Sequence, residues 1–251
     1  MDGAIRAWGI EIEAGWKYDL NAHYTINNRN PLLYRRMLQF KPDTFPEMPV
    51  PPKNKWSLHN DGSIYTDNLF SHEIVIFPPA KSRESLVKDI TKLWNLIGEV
   101  NDSMGLHIHI SLSDTNYAKL ATWKYVNQFQ IAVSNKFPEV RTRIGYNSFC
   151  ERYNNKESFL IHAIIQIPSS YKSSSRHHIL NFSYGLHGTV EYRAFPMVER
   201  LSRAKKYLEF VDANVNSFLE HCELNKEDYI VDIDTLKTYT PPAARRRRRS
   251  R

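Results

Sequence analysis

The sequence predicts an α+β protein with a mainly antiparallel, curved sheet and long helices packed on one face. Three observations carry this expectation. Several short segments alternate apolar and polar residues with a period of two, the repeat that places alternate side chains on opposite faces of a strand. Longer segments repeat apolar residues at three- and four-residue steps, the signature of an amphipathic helix. Turn signals at Asn60-Asp61-Gly62 and Gly185–Gly188 mark hairpins, which join antiparallel strands directly. Helices on one face leave the other free to form a concave site.

The first strand is the organising one. Gly9–Glu13 reads GIEIE, so Glu11 and Glu13 share one face and Ile10 and Ile12 the other. Two carboxylates held close are costly unless one is protonated or a cation lies between them. An ordinary half-solvated strand is the alternative. The same pattern recurs along the chain. Met104–Leu112, MGLHIHISL, places His107, His109 and Ser111 on one face, against Leu106, Ile108, Ile110 and Leu112. Thr189–Phe195, TVEYRAF, places Glu191 and Arg193 together with Thr189 and Phe195. Ser71–Phe77, SHEIVIF, puts Glu73 with Val75 and Phe77. Four strands each presenting a ligand-capable side chain point to one shared site. For the two histidines, local hydrogen bonding within the strand is the competing reading.

The remaining elements follow in order. Asp19–Asn30 reads as a loop, and Asn30-Pro31 starts a short helix with Leu33, Met37 and Phe40 inward. Lys41–Lys55 holds five prolines and reads as an irregular connection. Trp56–His59 and Ser63–Thr66 flank the Asn60-Asp61-Gly62 turn, where Asp61 is a turn residue or a substrate-side carboxylate. Ser82 caps a helix reaching to about Val100, with Leu86, Ile90, Leu93, Trp94, Ile97 and Val100 on its apolar stripe. Asp114 or Thr115 opens a second helix that Pro138 stops, burying Tyr117, Leu120, Val126, Phe129, Val133 and Phe137. Glu139–Tyr153 is basic and aromatic. It is either a solvated loop or a place where Arg143 and its neighbours hold a carboxylate or phosphates. Ser158–Ile167 is helix or strand. Ser169–Ser175 reads as a flexible lid, and His177–Tyr184 as a strand paired with TVEYR. Glu199 to about Cys222 is a third long helix.

At 251 residues with 41% apolar content, one domain over residues 1–242 is expected, followed by a basic tail at 243–251. The net charge of +7 misleads, because the tail's Arg245–Arg249 and Arg251 supply six positive charges and the rest of the chain carries +1. A generally basic nucleic-acid surface is thereby not indicated. Nucleic acid is expected only at the Arg245–Arg251 tail, which is equally well a localisation signal or a disordered end. Two cysteines, Cys150 and Cys222, without C-x-x-C spacing exclude a zinc-cysteine site and a disulfide framework. There is no apolar run of spanning length and no signal-peptide core, so a cytoplasmic protein with no membrane partner is expected. Oxygen-rich ligands favour Mg²⁺ or Mn²⁺, while His107, His109 and a glutamate leave zinc as the competing metal.

GIEIE, DGSI at Asp61–Ile64, EIV at Glu73–Val75, GLHIHIS and GTVEYR together resemble, in order, the amidoligases of the carboxylate–amine ligase superfamily. The resemblance covers roughly Ala7 to Phe195. It implies a glutamine synthetase-like catalytic fold and ATP-dependent amide-bond formation between an amine and the carboxylate of an amino acid, peptide or protein, through an acyl phosphate. It further implies Glu11, Glu13, Glu73, His107 and Glu191 as metal ligands, and His109, Ser111 and Arg193 at the nucleotide. Arg193, Glu191 and Asp61 would serve catalysis. Asn181 is implied near the substrate, with Arg176 and Arg143 as further substrate candidates. Homo-oligomerisation stays open, since glutamine synthetase completes its site between subunits. Departures from the family pattern fall at Ile76-Phe77-Pro78, Met104 and His177-His178. A binding module with a decayed site and a hydrolase reusing the same metals are the alternatives.

Overall fold

The computed structural model describes residues 4–20, 32, 39, 56–67, 69–76, 79–148, 150–166, 177–183 and 188–230. Strand β1, Ala7–Trp16, lies inside a seven-stranded sheet. On one side it pairs with β3, Phe70–Ile76, which pairs with β2, Trp56–His59. On the other it pairs with β5, Gly105–Ser111, followed by β7, Thr189–Pro196, and β6, Leu180–Ser183. A three-residue strand, β4 at Ile97–Glu99, pairs with the end of β1. Every pairing between these strands is antiparallel. The result is a mixed α/β molecule built on a mainly antiparallel sheet, as the alternation and turn signals indicate.

The period of two sorts the faces as expected. Ile10, Ile12, Ala14 and Trp16 of β1 and Leu106, Ile108 and Ile110 of β5 are fully buried. Six helices are described: α1, Arg83–Trp94; α2, Asp114–Leu120; α3, Trp123–Lys136; α4, Pro138–Tyr146; α5, Lys156–Gln166; and α6, Leu201–His221. Their aromatic rings interlock with the core face of the sheet. Phe129 meets Tyr192 edge-on at 5.1 Å, Phe159 meets Phe182 at 5.8 Å, and Phe195 stacks on Tyr207 at 4.6 Å. Such pairs add to the burial of large apolar surfaces. The hydroxyls of Tyr125 and Tyr192, both buried, satisfy each other at 2.7 Å.

Several boundaries differ from the sequence expectation. The first helix does not reach Val100. It ends at Trp94, and Ile97–Glu99 turns back to pair with β1. Gly98 permits this, because a Cβ there would lie 2.7 Å from Leu69 Cδ1 and 3.1 Å from Lys17 Cγ. The second helix is two. Its cap is Ser113 rather than Asp114 or Thr115, and Thr122 opens a new helix by accepting a hydrogen bond from the Tyr125 N–H at 3.3 Å. Pro138 stops α3 but also occupies the first turn of α4, where its missing N–H costs nothing, so much of the expected Glu139–Tyr153 loop is helical. Ser63–Thr66 is not a strand, and β2 pairs with β3 instead. The described part of the Ser158–Ile167 segment, up to Gln166, is helical and belongs to α5. The β6–β7 hairpin is present, with Gly188 at φ 65° just before β7.

The β7 register also departs from simple alternation. Ile108 pairs with Tyr192 and Leu106 with Phe195, so β7 spends three residues where β5 spends two. This bulge moves Phe195 off the face of Glu191 and Arg193 and into the helical core, where it meets Phe137 and Tyr207. No helix among the described residues is long and apolar enough to cross a membrane. Of the expected Asn30-Pro31 helix only Leu32 and Gln39 are described, both helical, and the Lys41–Lys55 connection, the Ser169–Ser175 lid, Arg176 and the 243–251 tail lie outside the described residues.

Two outcomes test this packing. Thr122→Ala removes the cap of α3 and is expected to lower stability by about 1 kcal/mol in chemical denaturation. His178 stacks on Tyr153 at 4.1 Å, and burial, with His162 beside it, pushes its imidazole down to about 4. The unfolded chain binds the proton first, so this group's contribution to stability is intact above pH 6.5 and is lost as pH falls towards 4. His178→Phe keeps the stack and is expected to flatten the stability–pH profile across that window; an unchanged slope would refute the assignment.

Candidate metal centre

Cross-strand register brings the acidic and imidazole side chains together. Glu13 of β1 pairs with Glu73 of β3, and Glu11 with His107 of β5. His109 pairs with Glu191 of β7, and Glu191 with Asn181 of β6. Directly opposed residues on one face lie within reach of each other, so the sheet itself assembles the cluster. Two groups of side chains offer ligand atoms that all lie within 4.8 Å of one another: Glu11, His107 and Glu191, and Glu13, Glu73 and His107.

The hydrogen bonds distinguish the two groups. His107 Nδ1 lies 2.9 Å from Glu11 Oε2. A carboxylate only accepts, so Nδ1 carries the proton, and the longer 3.4 Å approach of Arg193 Nη1 does not reverse this. In the neutral ring the lone pair is then on Nε2. That atom is buried without a hydrogen-bond partner, 3.6 Å from Glu13 Oε1, in a ring only 1% exposed. An imidazole that gives one N–H to a carboxylate and turns its free nitrogen into an acidic group has the arrangement of a metal-ligating histidine. The residues fit a divalent cation held by Glu13, Glu73 and His107 Nε2, with mixed oxygen and nitrogen donors. Glu11 acts here as the orienting carboxylate. Its second oxygen lies 3.1 Å from His109 Nε2, while His109 Nδ1 meets Thr189 Oγ1 at 3.3 Å.

The electrostatics follow this geometry. Burial, then the charges of Glu11 and Glu13, push the Glu73 carboxyl up to about 8. Glu11 goes the other way: burial opposes its charge, but His109 and His107 hold it well below the usual range. For Glu191, burial is likewise outweighed, by the Arg193 guanidinium and the imidazoles, and its carboxyl is held low. Arg193 Nη1 donates to Glu191 Oε1 at 2.8 Å, and Asn181 Nδ2 donates to Glu191 Oε2 at 2.9 Å. Asn181 is thus a buried orienting partner of Glu191.

The other sequence candidates sit around this centre. Asp61 Oδ1 accepts from the Ser63 N–H at 2.8 Å and its hydroxyl at 2.7 Å, as a turn residue does, while its charge also bears on Glu73. Ser111 shares the His109 face further along β5, opposite Ala7 and Thr189. Arg143 is buried on α4, its Nη1 donating to the carbonyls of Met104 at 2.8 Å and Asp102 at 3.4 Å.

Gly105 is the site residue that motif reading passed over. Its N–H donates to Glu13 Oε2 at 2.6 Å. A Cβ at Gly105 would lie 2.7 Å from both Arg143 Nη2 and His107 Nε2 and 2.9 Å from Glu13 Oε2. The signal was in the sequence, since Gly105 shares the strand face of His107 and His109. Gly105→Ala is expected to cost about 1–3 kcal/mol by forcing these buried groups apart. Gly9→Ala, whose nearest neighbour is His109 Cβ at 3.3 Å, is expected to cost less. Urea titration of both variants checks the order. Comparison of the sequence with models of known protein families gives no match, and neither does comparison with curated proteins.

Proposed function

We propose that the chain is an ATP- and divalent-cation-dependent carboxylate–amine ligase on a glutamine synthetase-like fold. The observation that carries this reading is the buried His107 Nε2, without a hydrogen bond and turned towards Glu13 beside Glu73. The ordered motifs and the oxygen-rich donor set support it, because hard carboxylate oxygens suit Mg²⁺ or Mn²⁺.

In this reading Glu13, Glu73 and His107 hold one cation. Glu191 offers a carboxylate for a second, on the side of Arg193. Glu11 fixes the His107 tautomer, and Asn181 fixes the Glu191 carboxylate. When bound, ATP with its cations would supply the phosphoryl group that activates a carboxylate towards an amine. Arg193 presents a guanidinium whose fork of donors matches phosphoryl oxygens and is held in place by Glu191. His109 and Ser111 extend the same face for the nucleotide. Asp61 adds negative charge near Glu73, which favours an approaching cationic amine.

Isothermal titration with Mn²⁺, and phosphate release from Mg²⁺–ATP with mixed amino acids and peptides, test the reading. Glu73→Gln removes one of the crowded carboxylates. It is expected to raise the melting midpoint in EDTA and to abolish the further stabilisation by Mn²⁺. Arg193→Lys is expected to lower phosphate release roughly 10²–10³-fold, the loss seen when one preorganised transition-state donor is removed. Absence of Mn²⁺ binding, or phosphate release indifferent to both changes, would refute the ligase. Product mass spectrometry separates amide formation from hydrolysis by the same centre.

A further inference from the structure

Away from the acidic centre, a second group of imidazoles lies beside α5. His178 stands just before β6, and its ring stacks on Tyr153 at 4.1 Å with 20° between the planes. Tyr153 meets Phe159 of α5 at 5.3 Å, and Phe159 meets Phe182 at 5.8 Å. The group therefore belongs to the helical side of the sheet, whereas Asn181 faces Glu191. His162 of α5 lies next to His178, with ring centroids 4.6 Å apart and planes tilted by 51°. His178 is 6% exposed and His162 is half-buried, so one ring is enclosed and the other meets solvent.

The backbone around His178 is fixed. Glu151 N–H donates to the His177 carbonyl at 2.7 Å, Ile179 N–H to the Glu151 carbonyl at 3.0 Å, and Arg193 N–H to the Ile179 carbonyl at 2.9 Å. The Glu151 backbone also takes a hydrogen bond from the His178 ring. Nδ1 of that ring is buried and has no hydrogen-bond partner. In the neutral imidazole the N–H is then on Nε2 and the lone pair on Nδ1. Burial, with His162 beside it, holds the ring neutral, which is the form a metal ion needs. The charge of Glu151 bears on the same ring and favours a cation there. An imidazole that gives one N–H to a backbone carbonyl and keeps its other nitrogen free has the arrangement of a metal ligand.

Ring spacing agrees with a shared ion. Two imidazoles on one ion, with metal–nitrogen bonds of about 2.0–2.1 Å, have ring centroids roughly 4.5–5.5 Å apart. The 4.6 Å separation of His162 and His178 falls in that range. We infer that His178 Nδ1 and the His162 imidazole form a second, two-nitrogen metal site for a divalent ion of the zinc class, with solvent in the remaining positions. The donors set the class. Imidazole suits zinc, nickel and copper, whereas Mg²⁺ and Mn²⁺ favour the carboxylates of the acidic centre. An ion held there ties α5 to the entry of β6, the strand whose Asn181 holds Glu191. The inference does not depend on the ligase reading.

The test is Zn²⁺ titration of the full chain in excess Mg²⁺, followed by calorimetry, by the melting midpoint and by the ring nitrogens of isotope-labelled histidine. Before Zn²⁺ is added, the His178 signal, identified by its loss in His178→Phe, is expected to show Nδ1 as the unprotonated nitrogen. Zn²⁺ is expected to move the ring-nitrogen signals of His178 and His162 together and to raise the melting midpoint. His178→Phe, which keeps the stack on Tyr153, and His162→Gln, at a half-buried helix position, are each expected to weaken this binding at least about tenfold. Glu73→Gln, which alters the acidic centre, is expected to leave the two histidine shifts in place. A proton on Nδ1 of His178, Zn²⁺ addition that leaves both rings unmoved, or Zn²⁺ affinity unchanged in either histidine variant overturns the inference. Histidine shifts without Mn²⁺ binding at the acidic centre sink the ligase reading and leave this site standing.

Discussion

The arrangement depends on one carboxylate held between two imidazoles. Glu11 takes the Nδ1–H of His107 and faces Nε2 of His109, and by doing so decides which nitrogen of His107 carries a lone pair. Everything proposed for the centre follows from that tautomer. Were the proton on Nε2, the same ring would present a donor to Glu13 and the cluster would be a closed ion-pair network instead of an open donor set. Burial makes the choice firm, since a ring 1% exposed cannot exchange its partners for water.

The sheet supplies what a loop could not. Glu11, Glu13, Glu73, His107 and Glu191 come from four strands, and their separations are set by backbone ladders on both sides of β1. Aromatic rings from several helices interlock with the buried face of the sheet, so the strands cannot slip without moving Ile10 or Tyr192 out of the core. A cluster of four carboxylates is destabilising by itself, and the core beneath it is the compensating element.

Much of this was legible. Alternation in GIEIE, GLHIHIS and TVEYR assigned the strands and most of their faces, because a period of two has one structural meaning. Other parts were hidden for definite reasons. The bulge that turns Phe195 inward breaks the period within Tyr192–Phe195, a stretch that itself holds no glycine or proline. Thr122 divides one apolar stripe into two helices, since residues on both sides of the break remain inward-facing. The end of α1 was missed because Ile97 is buried equally well from a helix or from β4. The hydrogen bonds from Arg143 to the Met104 and Asp102 carbonyls depend on where α4 lies against the start of β5, and no local pattern encodes a contact across that distance in the fold. The division between Glu11 as orienter and Glu13 as ligand turns on hydrogen-bond geometry alone.

The sheet's outermost strands are short. Among the described residues β2 and β6 each run for four residues, and β2 has the half-buried Trp56 and exposed His59 at its ends. A rim of that length offers few free amide and carbonyl groups in series, too few to fix the alignment of a foreign strand. An extended polypeptide therefore gains little by adding on along these described stretches, and the carboxylate face is left to small ligands rather than to a foreign strand.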